Sequence, residues 1–148
     1  MFDLRTLILL SSILLMCRGA VLLYIWEVQR RYPPTRDWAI GAFLCAIGAM
    51  LIGLRGMISP GFSVFLAQML IIPGWLLTDI GIVRAAGARP PWRAGAGVAA
   101  VAVALIGYFL FVTPDFGWRT VVYTLAVMIF DLYAAGVCWR AGPGGGQS

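Results

Sequence analysis

The sequence predicts an all-α membrane protein: a bundle of about five transmembrane helices, with the N-terminus outside and the C-terminus in the cytoplasm. Of the 148 residues, 61% are apolar and only 11% are charged, too few polar side chains to cover a soluble fold. The apolar residues form five blocks, each close to the roughly 20 residues that a helix needs to cross a hydrocarbon layer of ~30 Å. The blocks lack the alternation of barrel strands, and helices satisfy their own backbone groups inside lipid.

Short connections rich in proline and glycine separate the blocks, and these residues end helices and turn the chain. The predicted spans cover residues 4–26, 38–56, 62–83, 92–112 and 118–139. The second span is short, and we expect its helix to run about a turn further on one side. Together the spans form one transmembrane domain over residues 1–140. Residues 141–148, AGPGGGQS, form a flexible glycine-rich tail.

The orientation is predicted from arginine and tryptophan. Positively charged residues are enriched in cytoplasmic loops, and the chain has no lysine, so arginine alone decides. With the N-terminus outside, the inner side holds seven arginines and the outer side three: Arg30, Arg31, Arg36, Arg84, Arg89, Arg93 and Arg140 against Arg5, Arg55 and Arg119. Most tryptophans fall at predicted helix ends, where the indole ring prefers the headgroup boundary. Only Trp75 lies inside a span.

Small residues recur at four-residue spacing in the second and fourth spans. In the fourth span Gly95, Ala99 and Gly107 share one stripe of the helix. Small side chains let helix backbones approach closely, which is how helices pack where lipid removes the usual hydrophobic drive. We therefore expect these two helices to lie inside the bundle, although alanine-rich spans are common in membrane proteins of many kinds.

The third span is interrupted by Pro73 and Gly74 in the stretch IIPGW. Proline removes a backbone donor and glycine loosens the backbone, so a kink is expected halfway across the membrane. A kink here can serve as a hinge or leave a gap beside a ligand that Trp75 and Asp79 would face. Asp79 lies about five residues before Arg84, so it can also be solvated near the inner boundary or compete as a partner for Arg18. Proline is also tolerated in many static membrane helices, so the structural interpretation stays open.

Three ionisable residues lie within the spans, namely Arg18, Asp79 and Asp131. A charge in hydrocarbon costs at least ~2.5–3.5 kcal/mol, so each should find a partner, water or the interface. Arg18 and Asp131 each precede an interfacial tryptophan by eight residues, which places both roughly 12 Å from the same interface. If the first and fifth spans are neighbours, the two side chains form an ion pair. Otherwise Arg18 extends towards the headgroups and Asp131 is protonated or hydrated.

Several kinds of chemistry are excluded or disfavoured. Without any histidine the chain has no histidine metal site, no bis-histidine haem and no histidine acid–base catalysis. It has no phosphate-binding glycine loop followed by lysine, and no Cys-x-x-Cys pair. The arginines are dispersed, so a nucleic-acid partner is not indicated. We expect no catalytic residues, no metal and no cofactor, and the lipid bilayer as the first partner.

A series of landmarks runs along nearly the whole chain. They are Trp26 with Arg30 and Arg31, Trp38 with Gly41 and Gly48, Leu54-Arg55-Gly56, Pro60, Ser63, Ala67-Gln68, Gly74, Gly81, Arg84 and the segment VTPDFGWRTVV. Their order resembles the N-terminal membrane region of bacterial diguanylate cyclases, whose cytoplasmic catalytic domain carries a Gly-Gly-Asp/Glu-Glu-Phe motif. That motif is missing here, so we expect either a fragment or a stand-alone version of the membrane region.

The resemblance implies a sensor or signal-input module in the bacterial inner membrane that regulates cyclic di-GMP signalling. It also implies a homodimer and a cytoplasmic output domain or partner protein, without assigning roles to Arg18, Asp79 or Asp131. Two alternatives remain from the residues themselves. One is a small transporter or half-transporter that uses an intramembrane aspartate, and the other is a structural membrane partner subunit.

Overall fold

The computed structural model describes residues 4–29, 32–54 and 60–141. Five helices follow one another, and no strand occurs in these ranges: α1 Leu4–Val28, α2 Pro33–Gly53, α3 Pro60–Ala85, α4 Trp92–Phe111 and α5 Phe116–Ala141. All five are long and apolar enough to cross a membrane. The protein is therefore an all-helical, multi-pass membrane protein. Arg30, Arg31, Arg55, Gly56 and almost all of the predicted tail lie outside the described residues.

Local sequence explains where the helices begin. Helix α2 starts at Pro33, five residues before the predicted span, because proline fits the first helical turn, where its missing N–H is not needed. The Thr35 hydroxyl donates to the Tyr32 carbonyl at 2.6 Å in this first turn. Helix α5 is capped by Asp115, whose Oδ1 accepts the N–H groups of Gly117 and Trp118 at 2.7 and 3.2 Å.

The end of α3 is a Schellman motif. Gly87 adopts a φ of 76°, a left-handed conformation that glycine enters without a steric penalty. Its N–H donates to the Arg84 carbonyl, and the N–H of Ala88 donates to the Val83 carbonyl. Two prolines follow, so the chain turns sharply and α4 starts at Trp92.

Helices α2 and α3 form the centre of the bundle. They pack together extensively, α1 packs only against α2, and α4 and α5 pack against α3 and against each other. In their most apolar stretches α2 and α3 are each 39% buried, whereas α4 and α5 are 17% buried. The interior pair is thus α2 with α3, and the expectation that α4 is an interior helix is corrected.

Glycines on both helices create this close approach. A Cβ atom on Gly41 would lie 2.6 Å from the Gly74 carbonyl oxygen, and one on Gly74 would lie 2.7 Å from Cys45 Sγ. Two turns further along α2, a Cβ atom on Gly48 would lie 2.5 Å from Ile71 Cγ1. Gly81 packs in the same way against the Trp38 indole. The glycines are spaced by seven residues on each helix, so they fall on the facing sides of the antiparallel pair.

We expect Gly41→Ala to lower the free energy of unfolding by about 1–3 kcal/mol, because the added methyl group meets the α3 backbone and the helices must separate. The measurement is thermal unfolding of the purified protein in detergent. The matched control is Gly97→Ala in α4, where the new methyl group has no atom within 4 Å apart from its chain neighbours and the backbone of its own helix. Equal melting temperatures for Gly41→Ala and wild type would contradict the packing analysis.

Candidate functional site

A buried carboxylate on α3 is the most unusual polar group in the bundle. Asp79 is only 5% exposed. Its Oδ2 has no hydrogen-bond partner in the described part of the chain. Burial of a carboxylate without a partner is unfavourable, and in membrane helices such residues tend to mark binding or transport sites. Asp79 is therefore the starting point for the candidate site.

Asp79 lines a cavity of about 160 Å³ between α3, α4 and α5. The rest of the lining is almost entirely apolar, and it includes Val83 from α3, Gly95 and Val98 from α4, and Phe130 and Tyr133 from α5. Gly95 has no side chain, and this lets α4 pack close to Leu76. A Cβ atom at this position would lie 2.6 Å from Leu76 Cδ1. Asp79 thus borders an otherwise apolar space.

A second carboxylate lies nearby on α5. Asp131 is exposed on the bundle surface and follows Phe130 of the cavity lining in the sequence. No cluster of three or more potential ligands that could hold a metal occurs among the described residues.

The arginine that follows Asp79 in sequence is engaged elsewhere. Arg84 Nη1 donates to Asp37 Oδ2 at 2.6 Å, which joins the end of α3 to the start of α2. The Arg84 guanidinium also lies over the Trp92 ring, 5.3 Å from its centroid. The Trp38 indole N–H, one residue beyond Asp37, donates to the Thr78 carbonyl at 3.0 Å. This cluster fixes one end of the α2–α3 pair.

Sequence reasoning missed Asp37, which it left in a loop. The signal was available, because a short connection makes α2 and α3 antiparallel neighbours and brings the start of one beside the end of the other. Asp37 lies in the first turns of α2 and Arg84 in the last turn of α3. Asp37 and Arg84 therefore lie at similar depth on adjacent helices, which is the relation that was expected for Arg18 and Asp131.

The structure does not bring Arg18 and Asp131 together. Their helices, α1 and α5, make no contact with each other, because α1 packs only on α2 and α5 packs only on α3 and α4. Arg18 instead lines a separate cleft with Cys45, Trp75 and Thr78. The predicted pair depended on the first and fifth helices being neighbours, and within one chain they are not.

The other predicted site residues fall on the faces of α3 and α4. Helix α3 continues through Pro73 without interruption, and Gly74 lies at the close approach to α2. Trp75 is 38% exposed and lines the cleft that contains Arg18. On α4 the predicted packing residues face α3 and its neighbours: Gly95 contacts Leu76, Ala99 joins the buried cluster that includes Ile72 and Phe130, and Gly107 faces Phe65.

No protein-family model, curated protein or solved structure matches this chain.

We expect Asp37→Asn to lower the free energy of unfolding by about 1–2 kcal/mol, because it removes a charge-assisted hydrogen bond and leaves Arg84 without its partner. The Arg84 side chain is 33% exposed, so solvent screening keeps the effect moderate. Thermal unfolding in detergent is the measurement. Asp115→Asn is the control, because asparagine also caps helices and the loss of charge there should have little effect. An equal loss in both variants would contradict the role given to the ion pair.

Proposed function

We propose that this protein is a non-catalytic signal-input module of the bacterial inner membrane, of the kind that regulates a cytoplasmic diguanylate cyclase. The order of landmarks along the sequence supports this proposal, together with the five membrane-spanning helices. The supporting structural feature is the cavity beside Asp79, which is a candidate site for a signal molecule inside the bundle.

The position of that cavity suggests how a signal reaches the output side. Helices α4 and α5 pack less extensively on α3 than α1 and α3 pack on α2. A ligand that enters between α3 and the α4–α5 pair changes that packing most easily, because the glycine contacts of α2 and α3 leave little freedom. The movement is passed along α5 to its end at Ala141, which we assign to the cytoplasmic side. In this mechanism the α2–α3 pair stays fixed, and the α4–α5 pair moves relative to it.

A homodimer is part of the same proposal. Gly95, Ala99 and Gly107 are used inside the chain, but Ala96, Ala100 and Ala104 form an adjacent exposed stripe on α4. Small exposed residues at four-residue spacing allow two helices to approach closely in a membrane. The dimer then forms through α4, next to the helix that responds to the ligand.

The second candidate is a small transporter, and the buried, unpartnered Asp79 is the observation that favours it. In this case the carboxylate binds a proton or cation during transport. A transport path needs polar groups on both sides of the binding site, whereas the cavity around Asp79 is lined almost entirely by apolar residues. Uptake into sealed vesicles that depends on Asp79 would favour the transporter over the signal module.

The proposed orientation predicts a cytoplasmic C-terminus. A green fluorescent protein fused after Ser148 should fluoresce in bacterial cells, and alkaline phosphatase at the same position should be inactive, because phosphatase folds only in an oxidising compartment. Fusions after Val112, between α4 and α5, provide the control and should give the opposite pattern. The reverse result at both positions would overturn the orientation and, with it, the proposed route of the signal.

The proposed signalling role predicts that Asp79 controls the output. When a diguanylate cyclase catalytic domain is appended after Ser148, Asp79→Asn should change the cellular level of cyclic di-GMP at equal expression, because it replaces the buried carboxyl group of the proposed input site. Gly97→Ala, which makes no new contact, should leave the level unchanged. Identical levels in the wild type, Asp79→Asn and a cavity-filling Val98→Phe variant would count against the module.

A further inference from the structure

Two carboxylates near one cavity have no cationic partner in the described part of the chain. Arg84 is paired with Asp37, and Arg18 lies in the separate cleft with Cys45. Asp79 has an unpartnered oxygen, and Asp131 on α5 follows Phe130 of the cavity lining in the sequence. The electrostatics of this region therefore favour a positively charged group.

The shape and lining of the cavity define the rest of such a ligand. Apart from Asp79 and the Tyr133 hydroxyl, the side chains around it are hydrocarbon or aromatic. An apolar protein cavity of about 150 Å³ can hold one benzene molecule, and this cavity measures about 160 Å³. The space thus fits a compact apolar body of about the size of a six-membered ring.

We propose that the cavity beside Asp79 binds a small ammonium ion that carries a compact apolar body. The ammonium group donates to the Asp79 carboxylate, and the apolar body fills the space between Val98 and Phe130. This inference deepens the proposed function and rests on it for its biological meaning, since the ammonium ion is then the signal.

Other ligand classes fit less well. An anion is repelled by the Asp79 carboxylate, and a neutral molecule of the same shape cannot form a charge-assisted hydrogen bond with it. Divalent cations such as Ca²⁺ and Mg²⁺ need six or more oxygen ligands, whereas the lining is almost wholly apolar. The aromatic rings of Phe130 and Tyr133, in contrast, are favourable neighbours for an ammonium group.

The test compares three compounds of nearly equal size: cyclohexylammonium, cyclohexanol and cyclohexanecarboxylate. Each is titrated into the full-length protein in detergent, and the melting temperature gives the apparent affinity. We expect cyclohexylammonium to raise the melting temperature of the wild type in a saturable manner, with little or no effect of the alcohol and the carboxylate. Equal stabilisation by the alcohol would overturn the proposal, since the cavity would then recognise only apolar shape. Absence of any response to the ammonium ion would overturn it as well.

Three variants locate the site. Asp79→Asn should weaken the apparent affinity about tenfold or more, because it replaces a charge-assisted bond with a neutral one. Val98→Phe should block binding by filling the cavity while Asp79 stays in place. Asp115→Asn is the control and should bind as the wild type does, because Asp115 lies outside the cavity at the start of α5. Unchanged affinity in both cavity variants would place binding elsewhere and refute the inference.

A further readout separates this inference from the proposed function. Ammonium binding that depends on Asp79 but leaves cyclic di-GMP unchanged in the cyclase fusion supports the ligand and refutes the signal role. A change of cyclic di-GMP in Asp79→Asn without any ammonium binding supports the signal role and refutes the ligand class. The two proposals therefore fail through different measurements.

Discussion

The close backbone approach of α2 and α3 is the contact on which the rest of the bundle depends. In a membrane the lipid tails are as apolar as the side chains, so burial of apolar area does not by itself drive helices together. Glycine on both sides removes the side chains that would hold the helices apart, and dispersion contacts between the two backbones become possible. The remaining helices then attach to this pair, α1 on the α2 side and α4 with α5 on the α3 side.

This arrangement gives α3 two distinct sides. One side carries Gly74 and Gly81 against α2, and the other carries Ile72, Leu76 and Asp79 against α4 and α5. An aspartate on the α2 side would clash with the α2 backbone, whereas on the side of α4 and α5 it borders a cavity. Asp79 is therefore placed where packing is loosest, and that is the region in which a small molecule can be accommodated with the least rearrangement.

Much of the fold was accessible from the sequence, because span length and apolar composition are imposed by the thickness of the bilayer. Span length and apolar composition were enough to predict the number and order of the helices. Which helices are neighbours could not be obtained in the same way. The stripes Gly95–Ala99 and Gly41–Gly48 have similar composition, yet only the second faces a partner that also presents glycine.

For the candidate site, too, individual residues could be identified from the sequence, but their neighbours could not. Asp79 was identified because a charge in a span is expensive wherever the span lies. The pairing of Arg18 with Asp131 failed within the chain because equal depth does not determine which helices touch. Asp37 was overlooked because α2 begins at Pro33, earlier than its apolar block, so the acid belongs to a helix and not to a loop. Charge and depth can be read from residues, but adjacency requires the packed structure.

The Asp37–Arg84 bond also bears on how the protein is made. Both residues lie at the same end of the α2–α3 hairpin, opposite the connection between Leu54 and Pro60. When a helical hairpin enters a bilayer with its connection leading, the opposite end stays at the surface. Neither side chain then has to cross the hydrocarbon, and each can neutralise the other as soon as the two helices meet. A hairpin with this arrangement keeps its two charged groups at one membrane surface, where they neutralise each other.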